Sequence, residues 1–519
     1  MTVEGTEPPG ADGIRRQAIV VVHGQGQQRP METLRGFVEV LWTRNPDLGA
    51  VPLNGRRYFI VPDSRTEIFD LQRITTPDGE GRKTDFFELY YADLLANTPL
   101  RNLWLWLTRL LFIDPVAVTD ELRNPWRFLW VLSLIAFGLF VWVALSIPHL
   151  LHFEWVRAFE RPHATIAAAM IGAILLLLVL PKFIDGLSGL QKIPGSVLIA
   201  AIAVLFNVMF WGSWVMIGAT VLSYIVYFAV SFVLPLFGDA ASYLSAQTET
   251  IASRQALRKR GLTLLKALHD DPKYDRIVLV AHSLGTVLAY DLLQLLWEQV
   301  GPTKDNKPTA KALAALGDVQ AFVALNNGAD WVDAIKQGYQ DKQWAAFSAL
   351  RIRRRTTVTA DVSPAKPATE PWKVSDFVTL GSPLGHSRCL IAEGQADFDR
   401  LKAERLLSYV PPVPFDGSIS PGFIDAKSKA VHHAALFSVV RWTNLYDTFN
   451  PWFFAAGDAI SSRLGMAERF GPGVLDVDAR MHALPGTWFT HNSYWVDLKR
   501  EGAVNLAELR KAVGIGRPL

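Results

Sequence analysis

The chain has 519 residues, a formal net charge of +3 and one cysteine, Cys389. A single cysteine excludes an intrachain disulfide framework and a cluster of thiolate metal ligands, and the small net charge gives no indication of a nucleic-acid partner. Half of the residues are hydrophobic and 17 are Trp, so we expect apolar sequence to be concentrated in part of the chain. Residues 1–16 are polar and lack the apolar core of a signal peptide, which predicts a disordered leader.

The first strand signal is followed by a glycine-rich turn. Residues 18–22 form a short apolar run that predicts a buried strand, and His23-Gly24-Gln25-Gly26 comes directly after it. Glycines let a backbone turn its N–H groups toward a developing oxyanion. A strand that ends in His-Gly-x-Gly resembles the first strand and oxyanion loop of lipases and esterases of the α/β-hydrolase superfamily.

The segment after this turn contains further elements of an α/β domain. The sequence predicts a helix over 31–42 and strands over 57–61 and 85–91. It contains no G-x-G-x-x-G pattern after the first strand, so a dinucleotide site fits poorly. We therefore interpret residues 17–127 as the N-terminal part of an α/β-hydrolase domain.

A membrane insert is predicted over residues 128–237. Its first apolar stretch has 20 residues, which at 1.5 Å per residue is enough to cross a hydrocarbon core of about 30 Å. Four such stretches predict four transmembrane helices, at 128–147, 164–180, about 193–211 and about 214–237. Three spans are the main alternative, because only Gly212-Ser213 separates the last two stretches and Asn207 lies within the third.

The flanking charges predict the orientation of this insert. An even number of spans leaves both halves of one catalytic domain on the same side of the membrane. Basic residues are enriched on the cytoplasmic side of membrane proteins. The predicted inner side carries ten of them, against Arg157 and Arg161 in the sizeable outer loop: Arg101, Arg109, Arg123, Arg127, Lys182, Lys192, Arg254, Arg258, Lys259 and Arg260. We therefore expect both termini and the catalytic domain to be cytoplasmic.

The most specific motif follows the insert, within the C-terminal part of the domain at 238–519. A predicted strand, 277–281, and an apolar helix, 287–297, flank a tight turn that carries Ser283. The pattern is G-x-S-x-G with alanine at the first glycine position, and small residues there allow the sharp turn that exposes a nucleophilic hydroxyl. It resembles the nucleophile elbow of α/β-hydrolases. The alternative is an ordinary helix-capping serine.

A second serine, Ser382, follows the next strand signal, which begins at Asp376. The sequence Thr-Leu-Gly-Ser-Pro-Leu resembles the strand after the nucleophile helix in several lipase-like families. Pro383 has no N–H group, yet the residue after a nucleophile must supply one to the oxyanion hole. We therefore predict a structural role for Ser382.

The acid of a catalytic triad is expected near the strand and loop 438–452. Related sequences commonly carry an acidic residue directly before a proline, where this chain has Asn450. Asp447 is the nearest carboxylate and is our predicted acid, while Asn450 and Asp458 stay open as alternatives. An asparagine can orient a histidine but cannot stabilise an imidazolium as a carboxylate does.

The histidine of the triad is predicted to be His491. It precedes Tyr494-Trp495 and resembles the catalytic-histidine loop of these hydrolases, and the order Ser, Asp, His is the order of this fold. Three other histidines compete for the role: His432, His433 and His482.

These motifs together predict an integral membrane serine hydrolase. Ser283 would attack an ester carbonyl, His491 would act as general base and then general acid, and Asp447 would hold the imidazole. The N–H of Leu284 and one from the Gly24-Gln25 turn would form the oxyanion hole.

The predicted substrate is an acyl lipid, because the insert holds the domain at the bilayer. A thioesterase or protein deacylase would share every motif, and a non-catalytic membrane protein with a degenerate hydrolase domain is a further alternative. The sequence has no H-E-x-x-H pattern and no P-loop, so we expect no metal and no cofactor. It does not indicate an oligomeric state.

Overall fold

The computed structural model describes a large part of the chain on both sides of the predicted insert. The described residues are 16–24, 29–48, 56–63, 65, 72–77, 83–95, 248–302, 306–351, 371–412, 422–425, 428–448, 457–458, 460–481, 490–498 and 504–515, with single positions between 111 and 243. Contacts divide the chain into two compact units, one formed by Met1–Pro125 with Leu236–Leu519 and the other by Trp126–Pro235.

An eight-stranded, mostly parallel sheet organises the first unit. Its strands are β1 (Arg16–Val22), β2 (Phe59–Pro62), β3 (Gln72–Thr75), β4 (Lys83–Leu89), β5 (Arg276–His282), β6 (Val374–Leu380), β7 (Arg441–Tyr446) and β8 (Leu475–Asp478). The strand order is β2-β3-β4-β1-β5-β6-β7-β8. All strands from β4 to β8 in this order are parallel, and β2 and β3 add an antiparallel edge.

Helices cover both faces of this sheet. They are α1 (Glu32–Val38), α2 (Ala92–Leu95), α3 (Thr248–Asp270), α4 (Leu284–Val300), α5 (Ala310–Leu325), α6 (Asp333–Leu350), α7 (Ser387–Leu390), α8 (Gln395–Ala403) and α9 (Asn505–Val513). A π-helical segment, Glu39–Thr43, continues α1, and short 3₁₀ turns lie at Pro383–His386 and Leu436–Ser438.

The alternation of side chains along β1 explains the two layers of helices. Ala18, Val20 and Val22 pack into a core with α3, α4, α5 and α6, whereas Ile19 and Val21 pack into a second core with α1 and α9. A strand that is buried on both faces is a continuous apolar run, as the sequence of β1 is. The predicted α/β class, a mostly parallel sheet flanked by helices, is thereby confirmed.

The predicted elements around the candidate site are also confirmed within a few residues. Strands are found at the predicted runs 18–22, 57–61, 85–91 and 277–281, and helices at 31–42 and 287–297. Two strands, β3 and β8, were not predicted. Each has only four residues, and their sequences, QRIT and LDVD, contain too few apolar residues for a strand signal.

The predicted membrane spans are not tested by the described residues. In the described part of the chain, no helix has both the length and the apolar character needed to cross a membrane. The predicted spans 128–147, 164–180, 193–211 and 214–237 lie outside the described residues except for single positions. The number of spans, the boundaries of the insert at 128 and 237, and the cytoplasmic orientation stay predictions.

A buried ion cluster joins three strands at the amino edge of the sheet. Arg276 opens β5 and Arg441 opens β7, and the carboxylate of Asp376 in β6 lies between them. Its Oδ2 atom is 2.6 Å from Arg276 and its Oδ1 atom is 2.6 Å from Arg441. All three side chains are buried, so each charge depends on the others for compensation.

We expect Asp376→Asn to destabilise the fold. The substitution leaves two guanidinium groups buried without the carboxylate that neutralises them, and breaking a buried ion pair on one side costs about 3 kcal/mol or more. Denaturant titration of the purified protein should show this as a lower free energy of unfolding. Glu404→Gln is the matched control, because it removes one carboxylate from the exposed Arg400 and should change little. Equal effects of the two substitutions would contradict the assignment.

Candidate functional site

Ser283 lies in the turn between β5 and α4, at the carboxyl edge of the sheet. Its backbone angles are φ 53° and ψ −130°, a region that non-glycine residues adopt only under strain. The N–H of Ser283 donates to the carbonyl of Leu380 in β6 at 3.0 Å, and its carbonyl accepts from the Thr286 N–H at 2.9 Å. These bonds fix the strained turn on both sides of the serine.

Two glycines make the close packing around this turn possible. A Cβ atom at Gly285 would overlap the carbonyl oxygen of His23, at the end of β1. A Cβ atom at Gly24 would lie 2.9 Å from the Cβ of Ser283 and 2.7 Å from Nδ1 of His282. The backbone after β1 therefore runs directly against the serine turn, and only glycine fits at either position.

His23 anchors the start of this loop. Its Nε2 atom accepts from the Tyr91 N–H at 3.1 Å, so the ring proton lies on Nδ1, which donates to the Gly24 carbonyl at 2.6 Å. Burial lowers the pKa of His23 to about 4, against smaller opposing effects of the Gly24 carbonyl and of Asp93. The neutral ring thus holds the backbone of Gly24 in place. Gln25, the other predicted residue of the oxyanion loop, lies outside the described residues.

His491 forms a buried pair with Asp458. Its Nδ1 atom lies 2.9 Å from Oδ2 and 3.0 Å from Oδ1 of the carboxylate. The Tyr494 hydroxyl donates to Oδ2 at 2.8 Å, and the N–H of Ile460 donates to Oδ1 at 2.9 Å. Because the carboxylate accepts a hydrogen bond from the N–H at Nδ1, Nε2 is the basic nitrogen of the neutral imidazole.

These partners keep Asp458 charged. Burial alone would raise the pKa of Asp458, but the interaction with His491 and the hydrogen bonds that the carboxylate accepts together lower it from 3.8 to about 2. The carboxylate is therefore negative near neutral pH.

Two contacts bring this pair to the serine turn. His282, directly before Ser283, donates from Nε2 to the His491 carbonyl at 2.8 Å, and the two imidazole rings are 4.7 Å apart. On the other side, a Cβ atom at Gly381 would lie 3.0 Å from both His491 Nδ1 and Asp458 Oδ2. Gly381 directly follows Leu380, which accepts the N–H of Ser283.

The prediction that the Asp447 carboxylate itself holds the imidazole is wrong, since the carboxylate of Asp458 contacts Nδ1 of His491. Asp447 is buried, but its Oδ1 atom accepts from the Met481 N–H at 2.8 Å and its Oδ2 atom accepts from the Thr490 hydroxyl at 2.6 Å. The alternative with Asp458 is the one that the geometry supports. Asn450 lies outside the described residues.

The competing residues have other contacts. The Ser382 hydroxyl is buried, lies 2.8 Å from the Thr286 hydroxyl and accepts from the Leu384 N–H at the start of a 3₁₀ turn. His432 accepts the Ala434 N–H through Nδ1 at 3.2 Å. His433 lies 3.0 Å from the Arg405 carbonyl. His482 lies outside the described residues.

Sequence reasoning missed two residues of the site. The first is His282. Burial, and secondarily the neighbouring His491, lower the pKa of His282 to about 3, so its neutral ring donates to the His491 carbonyl. Tyr494 supports Asp458 through its hydroxyl. His282 is next to Ser283 in sequence and Tyr494 is three residues after His491, which could have indicated that both lie in the site. Sequence alone does not give the direction of either side chain.

The His491–Asp458 pair combines an imidazole with a carboxylate, as a general base does. A neutral imidazole with a basic Nε2 and a carboxylate on Nδ1 is suited to accept and return a proton. Within the described residues, no group of three or more His, Cys, Asp or Glu side chains could hold a metal ion. Comparisons with protein families, curated proteins and solved structures found no match to the chain.

The carboxylate of Asp458 should make stability depend on pH. Its pKa is about 2 in the folded protein and 3.8 in the reference state, so its contribution is complete above about pH 4 and is lost as the pH falls toward 2. We expect the wild type to exceed Asp458→Asn by on the order of 2 kcal/mol in unfolding free energy at pH 7. About half of that difference should be lost at pH 3. Denaturant titrations at both pH values measure it, and a difference that does not shrink in acid would contradict the low pKa.

Proposed function

We propose that the protein is a membrane-embedded serine hydrolase with the α/β-hydrolase fold, and that it cleaves ester bonds. The observation that carries the proposal is the strained turn of Ser283, whose neighbours contact the buried His491–Asp458 pair. The chain order Ser283, Asp458, His491 is the order of the α/β-hydrolase triad.

The proposed reaction starts with attack of Ser283 Oγ on the ester carbonyl. Nε2 of His491 takes the hydroxyl proton, and the Asp458 carboxylate stabilises the imidazolium that forms. The same proton then passes to the leaving alcohol, which leaves an acyl group on Ser283. Water, activated by His491, releases the acid in the second half of the reaction.

The proposed oxyanion hole combines two backbone segments. Leu284 is the first residue of α4, where the N–H groups lack intrahelical acceptors and the helix dipole favours negative charge. The Gly24-Gln25 turn supplies the second donor in this proposal, and Gly24 lies against Ser283. Removing one such donor typically costs on the order of 100-fold or more in rate.

An acyl lipid is the proposed substrate, because the insert at 128–237 would hold the domain at a bilayer. Long apolar sequence supports the insert. So do exposed apolar side chains at described positions of the second unit, Val131, Leu134 and Phe137, the last of which is 65% exposed. An ester and a thioester would react through the same groups. The hydrolysis rates of an ester and of the matching thioester would show which of the two the protein prefers.

We expect a fluorophosphonate probe for active-site serines to label the wild-type protein in detergent. Ser283→Ala should take no label, because the proposed nucleophile is gone. Ser382→Ala should label as the wild type does, since Ser382 is engaged at a 3₁₀ turn. Labelled protein is detected by in-gel fluorescence. Equal labelling of wild type and Ser283→Ala, or no labelling of either, would contradict the proposal and favour a non-catalytic role.

The topology is tested separately. In sealed vesicles with the cytoplasmic face outward, an added protease should cut both the leader at 1–16 and the loop at 301–311, since four spans leave both on that face. Epitope tags beside each segment would report the cuts on blots. Protection of one segment only would mean an odd number of spans.

A further inference from the structure

The carboxylate of Asp447 connects two segments that approach the histidine. Asp447 follows the last residue of β7 and is 1% exposed. Its two oxygens accept from the Met481 N–H at 2.8 Å and from the Thr490 hydroxyl at 2.6 Å. Thr490 directly precedes His491, so the second bond fixes the backbone from which the imidazole projects.

The same residue also holds the loop of the acid. The Asp447 N–H donates to the Ser461 hydroxyl at 3.1 Å, and the Ser461 N–H donates to Asp458 Oδ1 at 3.2 Å. A third bond joins the two loops directly, from the Thr490 N–H to the Gly457 carbonyl at 3.2 Å. One buried residue therefore contacts the supports of both members of the His491–Asp458 pair.

We propose that Asp447 is a positioning residue that sets the geometry of the His491–Asp458 pair through Thr490 and Ser461. The inference rests on the proposed function, because it concerns the same proton transfer. The bond from Thr490 to Asp447 is 2.6 Å long and buried, and removing one partner of a buried hydrogen bond leaves the other polar group unsatisfied. Its loss frees the backbone next to the general base, and a shift of about 1 Å at a reacting group can cost on the order of 100-fold in rate.

Thr490→Val is the direct test, because valine keeps the shape of threonine and removes the hydroxyl. With p-nitrophenyl butyrate as a generic ester, we expect kcat to fall by about 10- to 100-fold while KM changes by less than about twofold, since Thr490 is proposed to act through His491 and not on the substrate. Thr490→Ser, which keeps the hydroxyl, should restore most of kcat. If the Thr490 hydroxyl only stabilised the fold, Thr490→Val would lower the amount of active protein, as titrated with the fluorophosphonate probe. Each site that takes the label would then turn over at the wild-type rate.

Two further variants make the result specific. Thr448→Val removes another bond between threonine and aspartate, 3.0 Å long and exposed, and should leave kcat unchanged. Asp447→Asn should lower kcat as Thr490→Val does, and the double variant should be no worse than the poorer single one. Asp447→Asn also replaces Thr490→Val in the test if the valine variant does not fold.

The outcomes separate the two proposals. Wild-type kcat in both Thr490→Val and Asp447→Asn, with label still lost in Ser283→Ala, would overturn the positioning role and leave the hydrolase intact. If Ser283→Ala turns over the ester as fast as the wild type, the proposed hydrolase function itself would be overturned. A kcat loss in Thr490→Val that Thr490→Ser does not reverse would also contradict the positioning role.

Discussion

Three parallel strands, β1, β5 and β6, end at the same edge of the sheet, and the contacts of the candidate site depend on that alignment. The register pairs Val22 with Ala281 and His282 with Leu380, so the residues that follow each strand arrive together. Glycine is needed after β1 and after β6 because the neighbouring turns leave no room for a Cβ atom. The strained backbone of Ser283 persists because hydrogen bonds to β6 and within α4 hold it from both sides.

Charge is distributed differently at the two edges of this sheet. At the amino edge, the Asp376 carboxylate lies between two buried arginines and neutralises their charges. At the carboxyl edge, the buried imidazoles of His23 and His282 are kept neutral, and Asp458 carries a negative charge beside His491. A proton that moves to His491 therefore meets a carboxylate on one side and an uncharged ring on the other.

The sequence was most informative where one physical requirement acts on neighbouring residues. A strand buried on both faces is a continuous apolar run, and a tight turn needs small residues, so β1, β5 and the turn at Ser283 could be predicted. The short strands β3 and β8 carry no such pattern. The acid could not be chosen from sequence, because Asp447 and Asp458 both follow β7 and their roles depend on the direction of each side chain. Proximity to the strand favoured Asp447, whereas the approach of the loop to Gly381 places Asp458 on the imidazole.

The surroundings of the two carboxylates explain this division of roles. Asp447 follows the strand directly, and its oxygens accept hydrogen bonds from the Met481 N–H and the Thr490 hydroxyl. Asp458 lies on a longer connection that reaches across to Gly381, where the glycine leaves space for a carboxylate against the imidazole. A residue at the strand end is held rigidly but has a short reach, while a loop residue can reach the histidine but needs anchoring. The two carboxylates therefore have complementary roles. Asp447 is fixed at the end of β7, and Asp458 reaches the imidazole from the loop.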